Sequence, residues 1–203
     1  TLDEQQLDRL IQAMFAYFAL PDEIKKRFAY QLNPNGRGNE VGYWTRSRAH
    51  GDKANRGYFQ YNDYGDERFR TEGQDCPELI ALLDATRPIF DQAKGALQEV
   101  IRAFDTEFPG IYDWIFPNDR HPLLFLRLLA YERMEPGAFL AIGHYDRGTC
   151  TLAVAESAPG LRIGSTPEDV KEVIHTRDTA LFFPALTFHE KTAPEFVPSW
   201  HDV

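Results

Sequence analysis

Cysteine is nearly absent from this chain: Cys76 and Cys150 are the only two among 203 residues. Two cysteines allow at most one disulfide, and their spacing matches no zinc motif. Free thiols in a reducing compartment are the expectation. No apolar run is long enough for a bilayer span, since PLLFLRLLAY is interrupted by Arg127. A secretory signal is also missing, because the opening TLDEQQLDRL is acidic and amphipathic. Positive charge is in deficit, with 22 Lys and Arg against 31 Asp and Glu and a net charge of -9. That balance argues against a nucleic-acid partner, which needs a basic face for phosphates. Repeats, low-complexity tracts and obvious linkers are lacking too. These absences point to a cytoplasmic protein with neither a membrane nor a nucleic-acid partner. They leave the oligomeric state open, with a monomer slightly favoured.

The length suits one domain with a sizeable core. Leu7, Leu10, Ile11, Met14, Phe15 and Phe18 recur at helical steps, and Thr1 with Glu4 fits a capping box. Pro21 opens a second short helix, PDEIKKRFA. Residues 31–57 are rich in Gly, Asn and Arg without a period, which predicts a long irregular loop. A short strand is predicted at Tyr58–Tyr61. Pro77 starts a long helix to about Phe104, with a kink expected at Pro88, and GIYDWIF predicts a short helix after it. Beyond His121 the texture changes to short β-branched and aromatic runs separated by turns such as EPG and APG. The pattern predicts an α+β chain: helices over about 1–120, then an antiparallel double-sheet roll over about 121–203.

The chemistry centres on AIGHYDRGTCTLAV. Strand side chains alternate with period two, so His144 and Asp146 can face the same way. A histidine nitrogen, a carboxylate oxygen and a second histidine make the facial triad of non-haem Fe(II) oxygenases, which leaves other metal positions open. Alone, His-x-Asp is weak, since a chain of this length contains it by chance with odds on the order of a few tenths. The stretches around it are more specific. LRLLAY (Leu126 to Tyr131), GHYDRGTCTLAV and PGLRIG (Pro159 to Gly164) together resemble the core of the Fe(II)/2-oxoglutarate-dependent dioxygenases, in the isopenicillin N synthase-like branch. That family runs Arg-Leu-Leu-x-Tyr, then His-x-Asp-x-Gly-x-x-Thr-Leu, then Gly-Leu-Gln-Val. Gly148, Thr151 and Leu152 stand at the matching offsets from Asp146. FALPDEIKKRF is similar to the family's helical lead. The likeness covers most of the chain and is weakest over residues 31–56.

The resemblance implies a double-stranded β-helix, a jelly-roll of cupin type with flanking helices, in a single oxygenase domain over 1–203. It implies metal ligation by His144, Asp146 and a distal histidine. His201 lies fifty-five residues after Asp146 and is followed by Asp-Val where the family has Arg-Val; His189 is the weaker candidate, in what reads as a connection between strands. His50 reads as a loop residue, and His121 and His175 as strand-edge residues without a role. Tyr131 matches the family's co-substrate tyrosine. Arg127 has the same strand parity and a guanidinium suited to a carboxylate, although pairing within the roll is the commoner use. The family's Arg-x-Ser anchor falls after the distal histidine, beyond Val203, so a C-terminal strand is expected to be missing here.

The implied cofactors are Fe(II), 2-oxoglutarate as co-substrate and O2, with ascorbate as an optional addition. The implied reaction oxidises a small molecule, by hydroxylation or desaturation, with release of succinate and CO2. A loop carrying Tyr43, Trp44, Arg46 and Arg48 could cover the pocket and suit a partly anionic substrate. Two alternatives stay open: an oxidase of the same family that needs no 2-oxoglutarate, and a non-catalytic cupin-like binding protein.

Overall fold

The structure is a computed structural model that describes residues 3–30, 40–47, 56–117, 124–176 and 179–203. His50, Arg48 and His121 lie outside them. Helix α1 spans Glu4–Phe18. Its cap is Asp3, not Thr1, which also lies outside the described residues: the Asp3 carboxylate accepts from the Gln5 and Gln6 amides at 2.8 and 3.3 Å. A carboxylate at the cap satisfies free amides and complements the positive helix end. Helix α2 is Asp22–Arg27, directly after Pro21.

The expected irregular loop proves to contain a strand. Gly42–Arg46 forms β1, antiparallel to β2 (Arg56–Tyr61), which in turn pairs with β3 (Leu126–Tyr131). The alternating GYWTR was hidden by the Gly- and Arg-rich stretches beside it. Gly42 starts β1 at φ 109°, and a Cβ there would lie 2.5 Å from the Phe28 carbonyl. Only glycine permits that close approach, which lets the chain after α2 run alongside β1.

Helix α3 (Asp63–Glu72) has too little hydrophobicity to be read from periodicity. Asn62 caps it through the Gly65 amide at 2.9 Å. Helix α4 (Pro77–Glu107) is the spine of the molecule and runs on through Pro88, which removes one amide donor without ending the helix. Its first half packs with α1 against one face of the β1–β2–β3 sheet, burying Tyr17, Tyr43, Phe59, Tyr61, Leu79, Leu83 and Leu128. Tyr43 therefore belongs to the core, at 7% exposure, and not to a pocket mouth. The second half of α4 joins α5 (Ile111–Ile115) and α6 (Leu186–Thr192) in a second core around Ile101 and Phe188. There Phe104 meets Phe182, Phe188 and Phe196 at 5.0–5.4 Å between ring centres, a spacing that adds roughly 0.5–1.5 kcal/mol per pair beyond burial.

The C-terminal half is β throughout, apart from α6. Strands β4 (His144–Tyr145), β6 (Arg162–Gly164), β7 (Lys171–Glu172) and β9 (Trp200–Asp202) form one antiparallel sheet in the order β4-β9-β6-β7. Strands β5 (Cys150–Ala153) and β8 (Leu181–Pro184) form a separate pair. Cys76 and Cys150 are free thiols, and burial pushes the Cys150 thiol up to about 12. Among the described residues, no helix is long and apolar enough to cross a membrane.

Candidate metal centre

Strand pairing brings the two distant histidines together. His144 and His201 are direct cross-strand partners in the β4–β9 ladder, so their side chains leave the sheet on the same face. Their ring centres are 4.4 Å apart. Asp146 follows β4 immediately. Its carbonyl accepts from the Leu186 amide at 3.0 Å, and the next turn is tied down by Thr187 to Gly148 and Ala185 to Thr149. The turn after the His-x-Asp pair is thus clamped onto the start of α6. A Cβ on Gly148 would touch nothing, so space does not demand glycine there.

Asp146 Oδ1 lies 3.7 Å from His144 Nε2 and 3.8 Å from His201 Nε2. One ligand atom from each of the three residues falls within 4.8 Å of the others. Metal–ligand bonds of about 2.0–2.2 Å bridge gaps of this size. The remaining atoms of each ligand are already committed. His144 Nδ1 lies 2.9 Å from the Ile142 carbonyl and His201 Nδ1 3.3 Å from the Ser199 carbonyl. A carbonyl can only accept, so the proton sits on Nδ1 and the Nε2 lone pair is left for a metal. Asp146 Oδ2 accepts from the Thr151 hydroxyl at 2.7 Å, so Oδ1 is the oxygen that a metal could take. Thr151 entered the sequence pattern only as an offset; its chemical purpose emerges from the fold. The donor set fits a divalent first-row ion with open positions.

His201 is 8% exposed and held on both sides. Phe183 lies 5.1 Å from its ring. Next to it, Asp202 forms a bidentate pair with Arg162, both bonds 2.7 Å, across the β6–β9 ladder. These are two positions where the chain departs from the family pattern, and they answer each other. On the other side Trp200 covers Gly143: a Cβ there would sit 2.6 Å from the indole nitrogen.

The other candidates are placed apart from the triad or beside it. His189 lies in the connection between β8 and β9, as expected, within helix α6, and its Nδ1 faces the Phe196 carbonyl at 2.5 Å. His175 follows β7, with Nε2 2.6 Å from the Thr179 carbonyl. Arg127 donates twice to Gln60 Oε1, at 2.8 and 3.2 Å. Gln60 is itself oriented by its Nε2 bond to the Glu40 carbonyl. Its guanidinium lies over the Tyr58 and Phe125 rings, 5.1 and 5.0 Å from their centres, which removes part of its water. This desolvation is the largest influence on its pKa and lowers it, with Arg56 and Arg46 pulling the same way against Tyr58 and Asp146. The charge of Asp146 thus reaches Arg127. Tyr131 ends β3 opposite Arg56 and, by alternation, shares Arg127's face of the strand.

No protein-family model matches the sequence, and no curated protein does. Solved structures do match. One is a full-length Neurospora crassa protein in complex with alpha-KG and 5-formyluracil, at TM-score 0.72 and 18% identity, covering 100% of this chain and 64% of that one. Another is a Shewanella oneidensis protein assigned as an oxygenase, at TM-score 0.72 and 19% identity, covering 100% and 71%. A third is a Caulobacter crescentus protein assigned to the 2OG-Fe(II) oxygenase family, at TM-score 0.67 and 21% identity, covering 100% and 68%. This chain therefore spans a little under two thirds of the Neurospora protein's length. The chain has the fold of the 2OG-Fe(II) oxygenases.

Proposed function

We propose that the protein is an Fe(II)- and 2-oxoglutarate-dependent oxygenase of the isopenicillin N synthase-like branch, acting on a small molecule in the cytoplasm. The observation that carries this reading is the convergence of His144 Nε2, Asp146 Oδ1 and His201 Nε2, with the other side-chain nitrogen or oxygen of each residue already engaged. Residues 1–203 act as one domain in this reading, and the three small sheets contribute to a double-stranded β-helix. Iron held there supplies the redox chemistry that couples breakdown of 2-oxoglutarate with O2, to succinate and CO2, to oxidation of the substrate; ascorbate is an optional reductant.

The chain's own groups have distinct tasks. The two carbonyls keep both histidines in the metal-binding tautomer. Thr151 engages Oδ2 of Asp146, so that a metal would be held through Oδ1. Tyr131 and Arg127 share a strand face, and Arg127 lies within the field of Asp146. They are assigned to the far carboxylate of 2-oxoglutarate, for which a hydroxyl and a guanidinium are suitable partners. The Neurospora protein's complex with alpha-KG supports this co-substrate over an oxidase that needs none.

The test is 2-oxoglutarate turnover by the iron-loaded protein. Succinate should form with Fe(II) and O2 and vanish in His144→Ala and His201→Ala, but persist in His189→Ala. No succinate from the iron-loaded wild type would refute the assignment.

A further inference from the structure

Gln60 sits on β2, the middle strand of the β1–β2–β3 sheet, with Gly42 and Arg127 as its direct cross-strand partners. It is 1% exposed, so a polar side chain is buried there at a cost that its bonds must offset. Both ends of its amide are engaged. Nε2 donates to the Glu40 carbonyl, and Oε1 accepts from Nε and Nη2 of Arg127 at 3.2 and 2.8 Å. A carbonyl can only accept and a guanidinium can only donate, so this orientation of the amide is fixed. The guanidinium is thereby held along one edge, and its Nη1 has no hydrogen-bond partner among the described residues.

A neutral partner sets Arg127 apart. Arg27, Arg68, Arg70, Arg87, Arg102 and Arg162 each meet a carboxylate within 4 Å. Arg127 meets none among the described residues, although the chain has 31 acids against 22 Lys and Arg. Glutamate has the shape of glutamine and would make bonds to a guanidinium about twice as strong. It would also cancel the charge. Glutamine fixes the guanidinium in direction and leaves that charge uncompensated. Arg56 lies near enough for its own charge to be felt at Arg127, and its buried Nε has no hydrogen-bond partner. Cations without a counter-ion suit an incoming carboxylate.

We propose that Gln60 is a positioning residue for the co-substrate: it aims Arg127 at the far carboxylate of 2-oxoglutarate and, being uncharged, leaves the charge of the guanidinium for that carboxylate. This rests on the oxygenase reading, in which Arg127 takes the far carboxylate. Gln60 touches no ligand in this arrangement and acts only through Arg127. It thereby sets the preference for a dicarboxylic 2-oxo acid over a monocarboxylic one.

The experiment titrates 2-oxoglutarate and 2-oxobutyrate calorimetrically into the Mn(II)-loaded protein. The two share the 2-oxo acid end, and 2-oxobutyrate lacks the far carboxylate. Wild type should bind 2-oxoglutarate at least about tenfold more tightly, the discrimination that one charge-assisted hydrogen bond supplies. In Gln60→Glu the preference should shrink to about twofold or less, because the guanidinium is already neutralised, with 2-oxobutyrate affinity unchanged. Gln60→Met keeps the volume and removes the aim; it carries the same test, a reduced preference with 2-oxobutyrate affinity kept, where Gln60→Glu fails to fold, as circular dichroism would reveal. A purely structural role would weaken both acids together. That result, or an undiminished preference in a folded Gln60 variant, would overturn the proposal. Arg127→Gln separates the two levels. A preference lost in Arg127→Gln but kept in the Gln60 variants overturns the role of Gln60 and leaves the oxygenase reading standing. Equal binding of the two acids by wild type, or a full preference in Arg127→Gln, overturns the assignment of Arg127 and the role of Gln60 with it.

Discussion

Replacing Thr151 by valine removes one hydroxyl and almost nothing else. The two side chains have nearly the same shape, and Thr151 sits in β5 with its backbone paired to Phe183. What is lost is the 2.7 Å bond to Asp146 Oδ2. A hydrogen bond to a charged group is worth about 1.5–3 kcal/mol. Loss of such an outer partner lowers metal affinity by about 10–100-fold, or roughly 1.4–2.7 kcal/mol, so the two figures agree. Freed from Thr151, the carboxylate can turn and offer both oxygens, taking a position that the reaction needs open. The assay is titration of free Mn(II) by electron paramagnetic resonance, with the unfolding midpoint recorded in a chelator. Mn(II) should bind at least about tenfold more weakly in Thr151→Val, with a small change in chelator-treated stability. Mn(II) affinity within about twofold of wild type would refute the idea that this hydroxyl tunes the ligand. A large fall in metal-free stability with unchanged affinity would make Thr151 a purely structural residue.

Gly143→Ala should displace Trp200, because the new Cβ would lie 2.6–2.7 Å from three indole atoms; we expect a loss of about 1–3 kcal/mol in chemical denaturation, and weaker Mn(II) binding as His201 moves with its neighbour. Arg162→Ala strands the buried Asp202 carboxylate beside His201, so both the melting temperature and Mn(II) affinity should fall; the charge-swapped pair Arg162→Asp with Asp202→Arg should recover part of each. At Asp66, burial pushes the carboxyl pKa upward, but bonds from Arg70, Arg87 and Tyr61 outweigh it and hold it below its usual value. A depressed folded pKa stabilises fully above the unfolded value near about 4 and is lost as pH falls through the lower one. Asp66→Asn should therefore cost about 1–3 kcal/mol at pH 7, allowing for arginines one-third exposed, and the gap to wild type should shrink as acid unfolding is followed below about pH 4.

The local features of this protein were legible from the chain. The helical faces of α1 and α4, the shift to short strands after residue 121, and the His144–Asp146 spacing all depend on neighbours in sequence, where periodicity carries the information. His201 was reachable only through the family's spacing. Its nearness to His144 arises from a ladder between strands 57 residues apart, and no local rule encodes such a pairing. Strand β1 escaped notice because five residues give too few alternations to stand out from a glycine- and arginine-rich surround. Helix α3 did so because its stability comes from the Asn62 cap and from packing of Phe69, not from an apolar stripe. Sequence by itself determined which residue types were available for a metal and what their near neighbours were. Tertiary structure alone decided which atoms of those residues face one another. The Ile142 and Ser199 carbonyls, the Thr151 hydroxyl and the Arg162–Asp202 pair act through hydrogen bonds made after folding. The same holds for the sheet face that gathers Arg46, Arg56 and Arg127: antiparallel register sets Arg127 on β3 beside two cations from much earlier in the chain.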